Sequence, residues 1–166
     1  GYLVGFEAGL SKRLDFLPGI LSGFGVDVNY TYTDSEVDVP VFNVNGAGTI
    51  EKSILKQPLP NQSQHLYNAS LFYEKYGILA RIAANYKGKN VVGFSEFGPE
   101  HNRWYDENLT IDFSAAYAFN NKVRVFLELN NLTNEPLRYF HGNVNRPEQV
   151  EYYSLRGQLG ISYQLF

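Results

Sequence analysis

Residues 106–119, Asp106-Glu107-Asn108-Leu109-Thr110-Ile111-Asp112-Phe113-Ser114-Ala115-Ala116-Tyr117-Ala118-Phe119, decide the fold. Leu109, Ile111, Phe113, Ala115, Tyr117 and Phe119 alternate with Asn108, Thr110, Asp112, Ser114 and Ala116. A period of two is that of a β-strand with one apolar and one polar face. Six more rows of the same kind lie on either side, at about 2–13, 21–34, 65–74, 78–87, 122–130 and 151–165. Phe72, Phe126 and Tyr152 interrupt the polar side of these rows, and no helix of useful length competes with them.

The connections alternate short and long. Asp15-Phe16-Leu17-Pro18-Gly19, Lys75-Tyr76-Gly77 and Asn120-Asn121 carry turn chemistry. Between them lie 35–64, 88–105 and 131–150, filled with Gly, Pro, Asn and single aromatics. Loops of that length argue against a compact soluble domain. An outer-membrane barrel has short periplasmic turns and long outer loops as a rule. Alternating strand directions then sort the aromatics into two interfacial belts, where amphipathic rings anchor. Tyr2, Tyr30, Tyr32, Tyr67, Tyr86, Tyr105 and Tyr153 fall towards the outer ends, and Phe16, Tyr73, Tyr76, Tyr117, Phe119 and Tyr163 towards the inner. Tyr153 to Tyr163 is about ten steps of roughly 3.4 Å, or about 24 Å at a tilt near 45°, close to the height of an apolar band. Tyr67 to Tyr73 is shorter, so the belts are uneven.

Composition limits the function. Lys plus Arg is 14 against 17 for Asp plus Glu, a charge of −3, which leaves no basic surplus for nucleic acid. Cys is absent, which removes disulfides, thiolate metal sites and a cysteine nucleophile. No run of 18 apolar residues exists, so no transmembrane helix is expected. Tyr 13, Phe 12 and Trp 1 make an aromatic-rich chain whose mean hydropathy is nonetheless negative, as strands with alternate lipid-facing and water-facing residues produce. The chain opens inside a patterned row with no signal segment, and seven is an odd number where single-chain bacterial barrels have even ones. An open sheet in lipid would also leave backbone groups unpaired. The expectation is therefore a C-terminal section, residues 1–166, of a longer barrel. Two rivals stay open: a soluble β-sandwich or calyx that binds a ligand between inward apolar rows, and a small outer-membrane enzyme or adhesin of eight strands.

The stretch Leu129-Asn130-Asn131-Leu132-Thr133-Asn134-Glu135-Pro136-Leu137-Arg138-Tyr139-Phe140 resembles the penultimate strand and last loop of TonB-dependent outer-membrane receptors. Gly142, Arg146-Pro147, Gln149, Glu151-Tyr152-Tyr153 and the closing 159–166 continue the likeness. Gly5-Phe6-Glu7, Leu17-Pro18-Gly19 and 29–35 also resemble that family's barrel repeats. The resemblance implies an all-β, antiparallel up-and-down transmembrane barrel of 22 strands, of which these would be the last seven, with a plugged lumen. It implies a bacterial outer-membrane receptor that imports a scarce nutrient when the TonB complex pulls on the plug, and no enzyme. The plug domain and its TonB-contacting segment lie outside these residues. The wording of 135–139 is similar to a subgroup linked to carbohydrate uptake, which implies a sugar as cargo. One departure is that Leu165 holds the lipid-facing register usually closed by an aromatic, with Phe166 one residue beyond.

Candidate chemistry sits in the long loops. His65, His101 and His141 share no metal-ligand spacing, so neither metal nor cofactor is expected. Glu96, Glu100, His101 and Asp106 crowd one loop but read as a solvated charged segment rather than an acid–base site. His101, Asn102, Arg103, Trp104 and Tyr105 form one candidate ligand cluster, and Tyr139, Phe140, His141 and Asn143 a second, since flat rings beside convergent polar groups suit a small polar ligand. The competing role for the same rings is structural: Trp104 and Tyr105 as interface anchors, Tyr139 and Phe140 packing loop against barrel. Arg81, Lys87, Asp112, Arg124, Glu128 and Arg156, on the polar rows, are expected to face the lumen and meet the plug.

Overall fold

The computed structural model describes residues 1–44 and 46–164. Leu165 and Phe166, and with them the chain-end register, lie outside the described residues. Among the described residues twelve strands form: β1 (Tyr2–Arg13), β2 (Phe24–Val44), β3 (Ile50–Gln57), β4 (His65–Lys75), β5 (Ile78–Lys87), β6 (Asn90–Gly93), β7 (Arg103–Tyr105), β8 (Asn108–Ala118), β9 (Val123–Asn130), β10 (Leu137–His141), β11 (Pro147–Glu151) and β12 (Arg156–Tyr163). Seven of them make an antiparallel meander in the order β1-β2-β4-β5-β8-β9-β12. These are the seven rows legible in the sequence. The sheet is not closed: β1 and β12 each pair on one side among the described residues.

The register stacks the rows across the wall. Val26, Leu71, Ile82, Phe113 and Leu129 lie in one line of cross-strand partners, and Asp27, Ser70, Ala83 and Asp112 in the line beside it. Because side chains alternate, the first line occupies the apolar face and the second the polar face. The apolar face is bare: Leu10 is 61% exposed, Leu159 74% and Ile161 73%. A soluble sandwich or calyx would bury this row, and here no second layer covers it. On the polar face side chains bond laterally, with Ser11 donating to Asp27 (2.5 Å), Asn29 to Glu7 (2.7 Å), Asn85 to Asp112 (3.2 Å) and Gln158 to Glu128 (2.8 Å).

The interruptions of the polar row have separate causes. Phe72 is the cross-strand partner of Gly25, where an added Cβ would lie 2.1 Å from the Phe72 ring. Phe126 covers Gly160 in the same way, at 2.4 Å. Each ring lies flat over a glycine rather than projecting from the face, the pairing that compensates a glycine in a sheet. Tyr152 belongs to no strand; it falls between β11 and β12.

Several boundaries differ from the sequence expectation. The second strand starts at Phe24, not near 21, because Gly19–Gly23 turns into a 3-10 helix with Leu21 N–H bonded to the Pro18 carbonyl (3.2 Å). The last strand starts at Arg156, not 151, since Glu151 ends β11. The segments expected as loops, 35–64, 88–105 and 131–150, contain strands: β2 and β3 fill most of the first, and β6, β7, β10 and β11 are short pieces of the other two. β2 overshoots the wall and folds back on β3, with Val37 opposite Gln57. The other two contribute a separate four-stranded sheet, β11-β10-β7-β6. All three long connections stand at one end, opposite the short turns, and form a cap on the wall. At the other end Tyr76 (φ 56°) and Gly77 (φ 77°) make the positive-φ pair of a two-residue hairpin.

Candidate functional site

The ring residues of the two candidate clusters are brought together. β7 and β10 pair with Tyr105 opposite Tyr139, Trp104 opposite Phe140 and Arg103 opposite His141. Adjacent residues of a strand point to opposite faces, so this small sheet splits the clusters into two sets. On one face the Trp104 and Phe140 rings run parallel, 6.3 Å apart with 4° between planes. On the other Tyr105 and Tyr139 meet edge to face at 5.2 Å, with the Arg103 guanidinium 4.1 Å above Tyr139 and the Lys87 ammonium 4.9 Å from Tyr105. Burial, reinforced by Tyr139 and nearby acids, raises the pKa of the Tyr105 phenol above its ordinary value.

Trp104 and Phe140 border a cleft of about 700 Å³ at the rim, where the wall ends and the cap begins. That volume lies within the range of small-molecule sites. Asn143 lines it too, while Tyr105, Tyr139, Arg103 and Asn102 do not. The remaining lining comes from the ends of wall strands and the residues just past them: Asp34, Gln64, His65, Tyr86, Lys89, Asp106 and Glu107 among others. Asp34 and Glu107 each hold one side-chain donor, and Asp106 holds a side-chain donor and the Glu107 N–H at 2.9 Å. Asp34 accepts from the Tyr2 hydroxyl (2.8 Å), Glu107 from the Tyr86 hydroxyl (2.8 Å) and Asp106 from Arg138 (3.2 Å). A carboxylate has capacity for more than one donor, so these groups can still accept from a ligand hydroxyl. The Trp104 indole N–H is buried and has no acceptor among the described residues.

The other expected site residues have other employment. Asn102 is 2% exposed, and both ends of its amide are used inside the cap. Arg103 donates to Glu148 (2.7 Å), whose carboxylate also lies 3.5 Å from His141. A bulge between Tyr139 and Phe140 leaves Glu148 without a cross-strand partner, and bulges of this kind re-aim a side chain. His101 and His141 border a separate hollow with Phe97, Arg146 and Pro147. Asn143 also accepts the Asn145 N–H (2.9 Å), closing a turn.

Of the expected belt residues, Tyr30, Tyr32, Tyr67 and Tyr86 share the cap end of the apolar face with Phe6 and His65. Tyr67 and Tyr86 stack at 4.3 Å, Phe6 meets Tyr30 and Tyr32 at 5.8 Å, and His65 lies 5.4 Å from Tyr32. Tyr2 heads β1. Tyr73, Tyr117, Phe119 and Tyr163 lie towards the short-turn end, with Tyr117 and Phe119 4.8 Å apart and Tyr163 opposite Val123. Tyr153, expected on the last strand, instead lies between β11 and β12 and donates to Glu151, which is held below the ordinary carboxylate range by that bond and by Gln149.

Sequence reasoning missed Asp34, Gln64, Lys89 and Glu107. Their signal was positional: each lies where a strand row runs out into a long connection, the place where wall and loops form a rim.

An open antiparallel wall with one bare apolar face, one hydrogen-bonded polar face and a capped rim is the anatomy of a membrane β-barrel. The family model described as TonB dependent receptor-like, beta-barrel matches residues 2–132, and the chain belongs to that family. It is a family of receptors and transporters rather than of enzymes, and it implies the bacterial outer membrane. The match ends at Leu132, so β10, β11 and β12 lie beyond it. No curated protein and no solved structure matches the chain.

Proposed function

We propose that these strands are the C-terminal seven of a 22-stranded outer-membrane barrel whose rim cleft receives a small polyhydroxylated nutrient, a carbohydrate. A plug domain fills the lumen, and the TonB complex drives import through it. The free edges of β1 and β12 support further strands, because an unpaired strand edge in hydrocarbon costs several kcal/mol per group. The polar face, with Arg81, Asp112, Arg124 and Glu128, then faces the plug.

One observation carries the ligand class: the half-buried Trp104 ring, backed by the buried Phe140 ring parallel to it, beside carboxylates, amides and an ammonium around one cleft. Flat rings cover the apolar face of a sugar while carboxylates and amides bond its hydroxyls. The cleft holds acids and bases in mixture, which suits an uncharged ligand better than a strongly anionic one. The test is Trp104→Ala in the intact receptor, with oligosaccharide affinity measured by calorimetry. Affinity should fall about tenfold or more, the equivalent of about 1.4 kcal/mol, while heat-modifiable gel migration shows the barrel folded. Unchanged affinity in a folded barrel would sink the cleft as the binding site.

A further inference from the structure

We propose that Asn102 is a positioning residue, the buried amide that locks the three long connections into one preformed cap and so fixes the Trp104–Phe140 wall of the cleft before a ligand arrives. It rests on the cleft reading only for its affinity effect.

Four hydrogen bonds converge on this residue. The side-chain Oδ1 accepts the Ser95 N–H at 2.9 Å, within its own connection. The Nδ2 lies 3.3 Å from Gln57 Oε1 and donates to it, reaching the end of β3 in the first connection. Its carbonyl accepts the Gly142 N–H at 2.8 Å, just past β10 in the third connection. Its own N–H donates to the Pro99 carbonyl at 3.1 Å. Asn102 immediately precedes Arg103 and Trp104, and Gly142 follows His141 two residues after Phe140. The two bonded residues therefore flank the strand pair whose rings wall the cleft.

The junction has little room to shift. Gly142 has φ +64°, and an added Cβ would lie 2.1 Å from the Glu100 carbonyl oxygen. Only glycine lets the third connection approach the turn before Asn102 so closely. Further bonds join the same connections elsewhere, among them Phe42 N–H to the Glu96 carbonyl (2.8 Å), Asn61 N–H to the Val91 carbonyl (2.7 Å) and the Ser63 hydroxyl to the Gly88 carbonyl (2.7 Å). Asn102 touches all three by direct hydrogen bonds, and it does not line the cleft. A buried amide placed so that every polar atom is satisfied specifies one arrangement of the segments it joins.

The experiment is hydrogen–deuterium exchange with mass spectrometry on the intact receptor in detergent, paired with oligosaccharide affinity. Asn102→Ala should speed exchange at once in peptides covering Gln57, Ser95 and Gly142, leaving β4 and β5 unchanged. Asn102→Asp keeps the acceptor for Ser95 and loses the donor to Gln57, so exchange should rise chiefly around β3. Oligosaccharide affinity should fall about tenfold in Asn102→Ala, as expected for stranding a buried N–H, although the residue makes no cleft contact. Gln57→Ala added to Asn102→Ala should change exchange no further than Asn102→Ala alone. Faster exchange confined to residues near Ser95, or effects of Gln57→Ala and Asn102→Ala that simply add, would overturn the proposal. If Asn102→Ala fails to fold, Asn102→Asp and Gln57→Ala decide it by the same exchange pattern. A wild-type receptor that binds no oligosaccharide would remove the ligand reading, while the exchange results would still decide whether Asn102 joins the connections.

Discussion

The wall and the cap solve the burial problem in opposite ways. In the wall large apolar side chains stay bare, and the buried residues there, among those described, are the small ones Gly25, Ser70 and Ala116. In the cap Val39, Val41, Val91 and Phe140 are buried among Ser63, Asn90, Asn102 and Asn131. A barrel wall of this family needs no core of its own, because hydrocarbon meets one face and the barrel interior the other. The cap stands in water and must make its own core, so it resembles a small soluble domain resting on a membrane sheet.

The largest expected effect lies in the cap. Phe140 is 3% exposed, and Phe140→Ala should destabilise the cap by about 3–5 kcal/mol through lost burial and the cavity left behind. Hydrogen exchange should show the cap opening while the wall strands keep their protection. Wall strands that lose protection in parallel would mean the two regions fold as one unit and would break the comparison. Next comes Ile82→Lys, at the middle of the apolar line. A lysine facing the bilayer midplane costs about 2–4 kcal/mol, read as a lower midpoint of urea unfolding in lipid vesicles. The same charge at Asn68, an exposed position on the polar face, should have a much smaller effect. Equal penalties at both positions would mean that the two faces meet the same medium.

Legibility in the sequence follows the same division. The wall was readable because each face meets one uniform environment along a whole strand, so Leu109, Ile111 and Phe113 repeat with the period of the backbone itself. Turn chemistry then set the strand directions and the end at which the loops gather. The cap was not readable as strands. β7 is three residues long and β6 four, too short for a period to appear. Their pairing is fixed by bonds between distant segments, such as Asn102 to Gln57, which leave no local pattern. The candidate site was half legible. Ring-rich stretches pointed to Trp104 and Phe140, which border the cleft, and grouped them with Tyr105 and Tyr139, which strand alternation places on the opposite face.

Gly142→Ala tests the junction of the cap with a smaller effect, about 1–3 kcal/mol, because a left-handed residue acquires a side chain against a carbonyl. Raised exchange around residues 99–105 and 139–146, with the wall unaffected, is the expected outcome. A neutral result would mean that the third connection tolerates displacement, and the cleft wall would then be less fixed than its stacked rings suggest.

The smallest effect separates cap from wall by pH. Tyr153 and Gln149 donate to Glu151, and these bonds hold its carboxyl below the ordinary range. A carboxyl with a lowered folded pKa stabilises above its unfolded pKa, and that contribution is lost as pH falls through the folded one. The group remains open to solvent, so the whole cap should not unfold with it. Exchange in residues 147–155 should therefore rise as pH drops below the carboxylate range, after correction for the intrinsic rate, and Glu151→Gln should remove the dependence. Protection that falls equally in β8 and β9 under the same acidification would place the titrating group in the wall and not in the cap.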